Sequence, residues 1–201
     1  MKIYLTRHGK TEWNEAGKLQ GQKDSALVED GINNAKKLNK RLKNITFGCI
    51  YSSPLKRAFD TACYIRGEKD TPIVIKDSIK EMNFGSWEGV HHSIIKEEYT
   101  KDYDYFWNKP HLYEAKSGEG FNELIERVKR ALTEIINETK SESILIVTHT
   151  VVIKAIYAII EERTLDTFWD LPFIHDTSLT IIEVHEDRYT ITLRADTTHL
   201  K

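Results

Sequence analysis

Short apolar runs and amphipathic stretches alternate along most of the chain. The runs are rich in β-branched side chains, which is typical of strands buried on both faces of a parallel sheet. They cover residues 2–6, 49–52, 72–76 and 144–148. Two stretches between them carry apolar side chains on one helical face, first at Ile32, Ala35, Leu38 and Leu42 and then at Leu55, Ala58, Phe59 and Ala62. Strands that alternate with helices predict an α/β fold in which helices flank both faces of a mostly parallel sheet.

Two helices and a hairpin are predicted in the C-terminal half. Apolar side chains recur at helical spacing over residues 121–135, which predicts a long amphipathic helix. Residues 151–160 are apolar on nearly every side, so we expect that helix to be buried. A closing antiparallel hairpin is predicted from residues 178–184 and 189–193, with its turn at residues 186–187.

Residues 86–117 break this pattern. They contain two tryptophans, four tyrosines and the adjacent His91 and His92, with little periodicity. We therefore expect an inserted, partly helical segment. Most of its large aromatic rings are expected to pack onto the core, with one or two beside a pocket. These rings are Trp87, Tyr103, Phe106, Trp107 and Tyr113.

Composition narrows the possible functional classes. The 201 residues are 40% hydrophobic and 30% charged, which is ordinary for one globular domain over residues 1–201. The formal net charge of −2 gives no global positive field to attract nucleic acid, so an anion site would have to be built locally. The sequence has no long apolar run and no signal-like start, which predicts a cytoplasmic protein without membrane contact. Cys49 and Cys63 are expected to be buried free thiols.

The candidate chemistry lies where two predicted strands end. Arg7 and His8 follow the first strand, Gly9 suits a sharp turn beside them, and His149 follows the strand at residues 144–148. In open α/β sheets, ligands bind beyond the carboxyl ends of the strands. Two histidines and an arginine would therefore meet on one rim, and this combination suits transfer of a phosphoryl group to an imidazole. One such histidine alone is more often structural, so the joint occurrence carries the prediction.

A second basic position lies at a predicted helix start. Ser53 suits the N-cap and Pro54 the first helical position, which places Arg57 one turn inside the helix. The free amides and positive partial charge of a helix N-terminus favour phosphate, and an arginine adds a planar pair of charged donors. The same pattern is also compatible with a capped helix whose arginine is solvated.

Together these motifs resemble the histidine phosphatase superfamily, whose fold is phosphoglycerate-mutase-like. The resemblance covers nearly the whole chain and is carried by residues 5–11, 14, 20–21, 52–58, 81, 84–89, 118–119 and 148–149. Residues 106–113 and 176–184 resemble the bacterial broad-specificity phosphatases within that superfamily. The resemblance implies a three-layer sandwich of helices around the sheet, with residues 86–117 as an inserted lid, and a reaction that needs no cofactor or metal.

The resemblance also implies a role for each site residue. His8 would attack phosphorus to form a phosphohistidine, while Arg7, Arg57 and His149 would hold the phosphoryl oxygens. Glu81 would act first as general acid and then as general base, so its pKa should be raised. Asn14 would donate a further hydrogen bond to the phosphate. The implied substrate-binding set is Arg7, Asn14, Gln20, Gly21, Arg57, Glu81, His149 and Thr150.

Three positions depart from the family pattern. Lys10 stands where an acidic residue is common, Thr150 where glycine is usual, and Val28 where a capping threonine is common. Valine has no side-chain acceptor and leaves its helix uncapped, at a cost of about 1 kcal/mol. We expect these departures to change local shape and stability but not the reaction.

The implied activity is hydrolysis of small phosphomonoesters, with phosphorylated metabolites as partners rather than nucleic acid or membranes. Mutases of the superfamily carry Glu-Arg-His-Tyr-Gly at the acid, whereas residues 81–85 are Glu-Met-Asn-Phe-Gly, which favours hydrolysis. Aromatic rings on the lid would line an apolar pocket for varied leaving groups. The adjacent His91 and His92 would point in different directions, so no metal site is expected.

Several alternatives to this function stay open. Residues 81–88 also resemble the α-ribazole phosphate phosphatases of cobalamin synthesis. A cofactor-dependent phosphoglycerate mutase and a catalytically weak, phosphate-binding regulatory module are the other two. The physiological substrate and the oligomeric state are left open by the sequence.

Overall fold

One mixed sheet of six strands forms the centre of the molecule. The computed structural model describes residues 1–186 and 188–201, and Asp187, in the predicted hairpin turn, lies outside the described residues. The strands are β1 (Lys2–Arg7), β2 (Cys49–Ser52), β3 (Ile73–Ile75), β4 (Ser143–Thr148), β5 (Leu179–His185) and β6 (Arg188–Asp196). Their order is β3-β2-β4-β1-β5-β6. The first four are mutually parallel, whereas β5 is antiparallel to both β1 and β6. The predicted mostly parallel sheet is confirmed.

Helices cover both faces of this sheet. They are α1 (Glu12–Glu15), α2 (Glu29–Arg41), α3 (Lys56–Arg66), α4 (His92–Glu98), α5 (Thr100–Asn108), α6 (Phe121–Glu138) and α7 (Thr150–Ile160). Side chains alternate between the faces along β4: Ile144 and Ile146 pack with residues of α6 and α7, and Leu145 and Val147 pack with residues of α2 and α3. This arrangement is the predicted three-layer sandwich. None of the helices in the described chain is long and apolar enough to cross a membrane.

The start of α2 shows the departure expected at Val28. Val28 occupies the N-cap and makes no side-chain hydrogen bond to the helix. Glu29 and Asp30 lie in the first turn, where their negative charge interacts favourably with the helix dipole. The helix therefore begins at the predicted place without a capping side chain.

The segment 86–117 is partly helical, as predicted. It contains α4, α5 and a 3-10 turn at Pro110–Leu112. Phe106 of α5 is fully buried, and its ring lies 5.1 Å from that of Phe121 and 5.4 Å from that of Trp169, between centroids. The segment thus packs onto the same apolar cluster as α6.

Two sequence-based details are wrong. The third helix begins at Lys56 with Leu55 as N-cap, and not at Ser53 and Pro54. Cys49 and Cys63 are free, as predicted, but only half-buried. Cys49 opens β2 at the end of the sheet, which explains its partial exposure.

Candidate active site

The pairing of β1 with β4 brings the two predicted histidines together. Arg7, the last residue of β1, pairs with Thr148, the last residue of β4. The amide of His8 then donates to the Thr148 carbonyl at 2.9 Å. Because both strands end at the same level, the ring centroids of His8 and His149 are 5.2 Å apart. The predicted juxtaposition at the carboxyl ends of the strands is present.

His8 is buried and oriented by main-chain contacts. Its Nδ1 lies 2.8 Å from the Gly9 carbonyl, which fixes Nδ1 as the protonated nitrogen and leaves a lone pair on Nε2. Burial first, and then Arg57 and Arg7, hold the pKa of His8 well below its usual range. A side chain at Gly9 would clash with the main chain of Gly31, since a Cβ there would lie 2.6 Å from that carbonyl oxygen. The site therefore holds a neutral imidazole whose Nε2 is unprotonated and can act as a nucleophile.

Arg57 is an almost fully buried guanidinium with several partners. Only 1% of the residue is exposed. Nη2 donates to the Gly21 carbonyl at 2.7 Å, and Nη1 donates to the Lys23 carbonyl at 2.7 Å and to Asp24 at 2.8 Å. Nε points at His8 Nε2, 3.3 Å away. The guanidinium is thus held rigidly beside the nucleophilic nitrogen.

Asp24 occupies the start of α3, where the sequence predicted a phosphate. Its carboxylate accepts from the Lys56 amide at 2.7 Å and from the Arg57 amide at 3.4 Å. Ser53 does not cap the helix, because Asp24 supplies the anion at that end and Leu55 takes the N-cap position. The anion at these amides is therefore the Asp24 carboxylate, a contact of Arg57 that the sequence reasoning missed.

His149 and Ser53 form a second buried pair. His149 Nε2 lies 2.8 Å from Ser53 Oγ, and His149 is the N-cap of α7. Burial first, then Arg57 and His8, hold the pKa of His149 well below its usual range. Its Nδ1 and the Nε of Arg7 are buried atoms without a hydrogen-bond partner in the part of the chain that the structure describes. Arg7 Nη1 donates to the Ile174 carbonyl at 3.0 Å.

Glu81 is a buried carboxyl group at the N-terminus of α7. Its oxygens accept from the amide of Met82 at 2.9 Å and from the amide of Val151 at 3.3 Å. Burial raises the pKa of Glu81 and outweighs the opposing effects of these amides and of Arg57 and Arg7. The carboxyl group is therefore easier to protonate than an exposed glutamate.

The remaining predicted site residues lie on the wall of one cavity. A cavity of about 470 Å³ opens over His8 and is lined on this side by Asn14, Gln20, Gly21 and Thr150. Asn14 Oδ1 accepts from the amide and hydroxyl of Thr11, at 3.1 and 3.0 Å. His149 is fully buried behind His8 and does not line the cavity itself. Lys10 pairs with Glu15 at 2.8 Å and is likewise not part of the cavity wall.

The opposite wall of the cavity is mostly apolar and was missed in large part by the sequence reasoning. Of the five aromatic rings predicted for the pocket or core, Trp107 lines the cavity, while the other four pack with the core. The unpredicted lining residues are Lys18, Leu19, Phe84, His92, Val151, Lys154, Trp169, Leu171, Phe173 and Ile174. No sequence pattern marked residues 169–174. Lys154, the single lysine within the apolar stretch 151–160, could have been recognised from the sequence as a candidate lining residue.

The adjacent His91 and His92 have different surroundings. Across residues 1–186 and 188–201, no three histidine, cysteine, aspartate or glutamate side chains are grouped as metal ligands would be. His91 caps α4 by accepting from the Ser93 amide at 3.1 Å, whereas His92 faces the cavity. The two adjacent histidines therefore point to different places.

Known proteins resemble this chain over its full length. The model of the histidine phosphatase superfamily, branch 1, matches residues 3–197. Phosphoserine phosphatase 1 of Hydrogenobacter thermophilus is 33% identical over 200 residues, which cover 100% of this chain and 94% of that protein. The adenosylcobalamin/α-ribazole phosphatase of Salmonella typhimurium is 33% identical over 79% of this chain and 78% of its own. The solved structure of Bacillus stearothermophilus YhfR is 38% identical, with a TM-score of 0.97, and covers 100% of this chain and 99% of that one.

Proposed function

The chain belongs to the histidine phosphatase superfamily, and on this premise we propose that it is a metal-independent phosphoric monoester hydrolase that works through a phosphohistidine on His8. One observation carries the proposal. A neutral imidazole whose unprotonated Nε2 accepts only from Arg57 among the described residues, two arginines and an easily protonated carboxyl group converge on a single cavity. These are the groups that phosphoryl transfer to and from a histidine requires.

In the first step, His8 Nε2 attacks phosphorus. The new bond is between nitrogen and phosphorus, and the bond from phosphorus to the ester oxygen breaks. Glu81 gives its proton to the departing alkoxide, which leaves as the alcohol. The buried position of Glu81 supports this role, because burial raises its pKa and keeps the acid form available.

In the second step, the same carboxyl group works in reverse. Glu81 is now ionised and takes a proton from water, whose oxygen attacks the phosphohistidine. The nitrogen–phosphorus bond breaks, inorganic phosphate leaves, and His8 returns to its neutral form. One carboxyl group thus serves as general acid in the first step and as general base in the second.

The phosphoryl group needs positive charge and donors that are already in place. Arg57 supplies both, since Gly21, Lys23 and Asp24 hold its guanidinium rigid. Arg7 lines the cavity and contributes a buried Nε that has no partner among the described residues, and a phosphoryl oxygen would satisfy it. His149 lies behind His8 and would support the phosphoryl site from there. In this scheme the fixed cationic groups do the work that a divalent ion does in other phosphatases.

The substrates we propose are small phosphomonoesters with varied alcohols. The cavity wall opposite His8 is mostly apolar, which accommodates alkyl and aromatic leaving groups without fixing one identity. A relative named as a phosphoserine phosphatase matches the full chain, which supports small phosphorylated metabolites as partners. We place the reaction in the cytoplasm, in a single domain with residues 86–117 as the lid.

An α-ribazole phosphate phosphatase is the second candidate. A relative named for that activity is 33% identical, and an aromatic nucleoside would fit against the apolar wall. A mutase is disfavoured, because residues 82 and 83 are Met and Asn in place of the basic pair of the mutases.

The test is phosphate release from a substrate panel with a chelator present. The panel holds p-nitrophenyl phosphate, phosphoserine, 3-phosphoglycerate, α-ribazole phosphate and glycerol phosphate. We expect broad turnover that survives the chelator and is lost in His8→Ala, together with an acid-labile phosphoenzyme. His185→Ala, a change at an exposed histidine on β5, is the matched control and should behave as the unchanged protein. Turnover that disappears with the chelator, or that persists in His8→Ala, would contradict the proposal.

A further inference from the structure

One wall of the cavity is formed by irregular chain between α7 and β5. We call residues 168–176 the wall segment; its side chains that line the cavity are Trp169, Leu171, Phe173 and Ile174. Leu171 is 81% exposed and Phe173 is 63% exposed, although both are large and apolar. Apolar side chains that are open to solvent at the edge of a cavity are suited to contact the apolar part of a ligand.

Main-chain hydrogen bonds do little to hold the wall segment. Among the described residues, the amides of residues 171–176 donate to no main-chain carbonyl. Cationic side chains bind the carbonyl oxygens of the segment instead. Arg7 binds Ile174 at 3.0 Å, and Arg163 makes only long contacts, of 3.4 to 3.5 Å, to Leu171 and Asp170. The position of this wall therefore depends on side-chain contacts, both those made by cationic groups outside it and those of its own Trp169, which donates to the Phe106 carbonyl at 2.6 Å, and of the buried Ile174.

Lys154 makes the largest set of these contacts. Its ammonium donates to the carbonyls of Trp169 at 3.4 Å, of Pro172 at 2.8 Å and of Asp170. The residue lies on α7, is 4% exposed and is the one charged residue within the apolar stretch 151–160. An ammonium has three N–H donors, and here three carbonyls of the wall segment take them. The group is thus committed to the wall and has no donor left for a substrate anion.

Most of the phosphoryl side of the cavity is held by different contacts, and the Arg7 bond to the Ile174 carbonyl is the one contact it shares with the wall segment among the described residues. Arg57 is fixed by Gly21, Lys23 and Asp24, and none of these residues belongs to the wall segment. His149 is paired with Ser53. A change at Lys154 can therefore move the wall while the nucleophile and Arg57 keep their partners.

We propose that Lys154 is a positioning residue that sets selectivity for the leaving group by fixing the wall segment over the cavity. The inference rests on the proposed phosphatase function. It assigns to a buried lysine a role in recognising the alcohol half of the ester, through the wall segment that its ammonium binds.

The test compares one bulky and one small substrate. Lys154→Met keeps the length and apolar stem of the side chain but removes the three donors. In Lys154→Met we expect the KM for 1-naphthyl phosphate to rise about tenfold or more, whereas kcat/KM for glycerol phosphate should change by less than about threefold. Lys154→Arg, which keeps a cation, should recover part of the loss. Lys129→Met, at an exposed position of α6, is the matched control and should leave both substrates unchanged. An equal loss on both substrates in Lys154→Met would overturn the proposal.

A measurement on the unchanged protein keeps the test valid if Lys154→Met does not fold. Burial first, and then Arg163, lower the pKa of Lys154 to about 8, against the raising effects of Asp170 and Glu161. As the pH rises through that value, the ammonium loses its charge and binds the carbonyls less tightly. The ratio of kcat/KM for 1-naphthyl over phenyl phosphate should therefore fall. The two phenolic leaving groups have similar acidity, so titration of Glu81 and of the phosphoryl group affects both esters alike and cancels in the ratio. A ratio that stays constant through this range would overturn the proposal. Phosphate release from glycerol phosphate alone tests the underlying function separately.

Discussion

Replacement of Asp24 by asparagine should weaken both the fold and turnover. The two side chains are nearly isosteric, but asparagine lacks the charge, and one of its two polar ends cannot accept from an amide. The carboxylate accepts from Arg57 Nη1 at 2.8 Å and from the Lys56 amide at 2.7 Å. Hydrogen bonds to a charged group contribute about 1.5–3 kcal/mol. Since the Asp24 side chain is 31% exposed, solvent screens the pair, and we expect a loss of about 1.5–2 kcal/mol in the free energy of unfolding.

The effect of Asp24→Asn on turnover depends on the hydrogen bonds that Arg57 retains. The carbonyls of Gly21 and Lys23 still hold the guanidinium, so it would be displaced rather than released. A loss of comparable size in transition-state stabilisation lowers kcat/KM about 10- to 30-fold. KM should change less than kcat, because a misplaced guanidinium binds the ground state better than the developing charge.

The assay is urea unfolding, together with kcat and KM for p-nitrophenyl phosphate. Asp60→Asn is the matched control, because Asp60 also lies on α3 and pairs with the Lys56 ammonium at 2.6 Å, on an exposed part of the helix. Exposed pairs of this kind contribute little to stability, because solvent screens them. If Asp24→Asn unfolds and turns over like Asp60→Asn, the assignment of Asp24 as the anchor of Arg57 is refuted.

Three further predictions follow from the same structure. Glu81→Gln should lower kcat for glycerol phosphate about 10²- to 10⁴-fold, with a smaller loss for p-nitrophenyl phosphate, whose leaving group needs no proton. An equal loss of kcat on both esters would contradict the general-acid role. A carboxyl group whose pKa is raised in the folded state destabilises the fold as pH rises above its unfolded pKa. Glu81→Gln should therefore be at least as stable to unfolding as the unchanged protein at neutral pH, and this gain in stability should vanish in acid. Ser53→Ala removes the partner of His149 Nε2 and should cost about 1–3 kcal/mol in urea unfolding; an unchanged midpoint would show that this bond contributes nothing. Phe106→Ala should cost about 3–5 kcal/mol in unfolding free energy because the ring is fully buried, whereas Phe173→Ala should cost little and raise KM for 1-naphthyl phosphate; equal costs in the two variants would contradict the burial argument.

The strands and the meeting of His8 with His149 were predictable because they depend on a repeating pattern. Buried parallel strands carry apolar, β-branched runs, and residues that follow such strands meet at one edge of the sheet. The structure places His8 and His149 in this relation. Arg57 was marked by a predicted helix start, but the role of Glu81 came from resemblance to a family, since a glutamate before a turn has no periodic signature.

The start of α3 and the apolar wall were not predictable in the same way. Ser53 and Pro54 form a good local N-cap pattern, but Asp24, distant in the sequence, binds the Lys56 amide and determines where the helix begins. The wall segment has neither helical nor strand periodicity, and its position depends on Lys154. Tertiary contacts of this kind leave no local trace.

The register of β1 against β4 also has a consequence for how the protein folds. Lys2 pairs with Ser143 and Arg7 pairs with Thr148, so strands far apart in the chain must meet before the site exists. Closing such a large loop costs entropy before any contact repays it, and topologies rich in distant pairings fold slowly. An N-terminal fragment would carry His8 without His149, and the two rings meet only when β1 has paired with β4. The rate at which activity recovers during refolding therefore reports when the central strands β1 and β4 have paired.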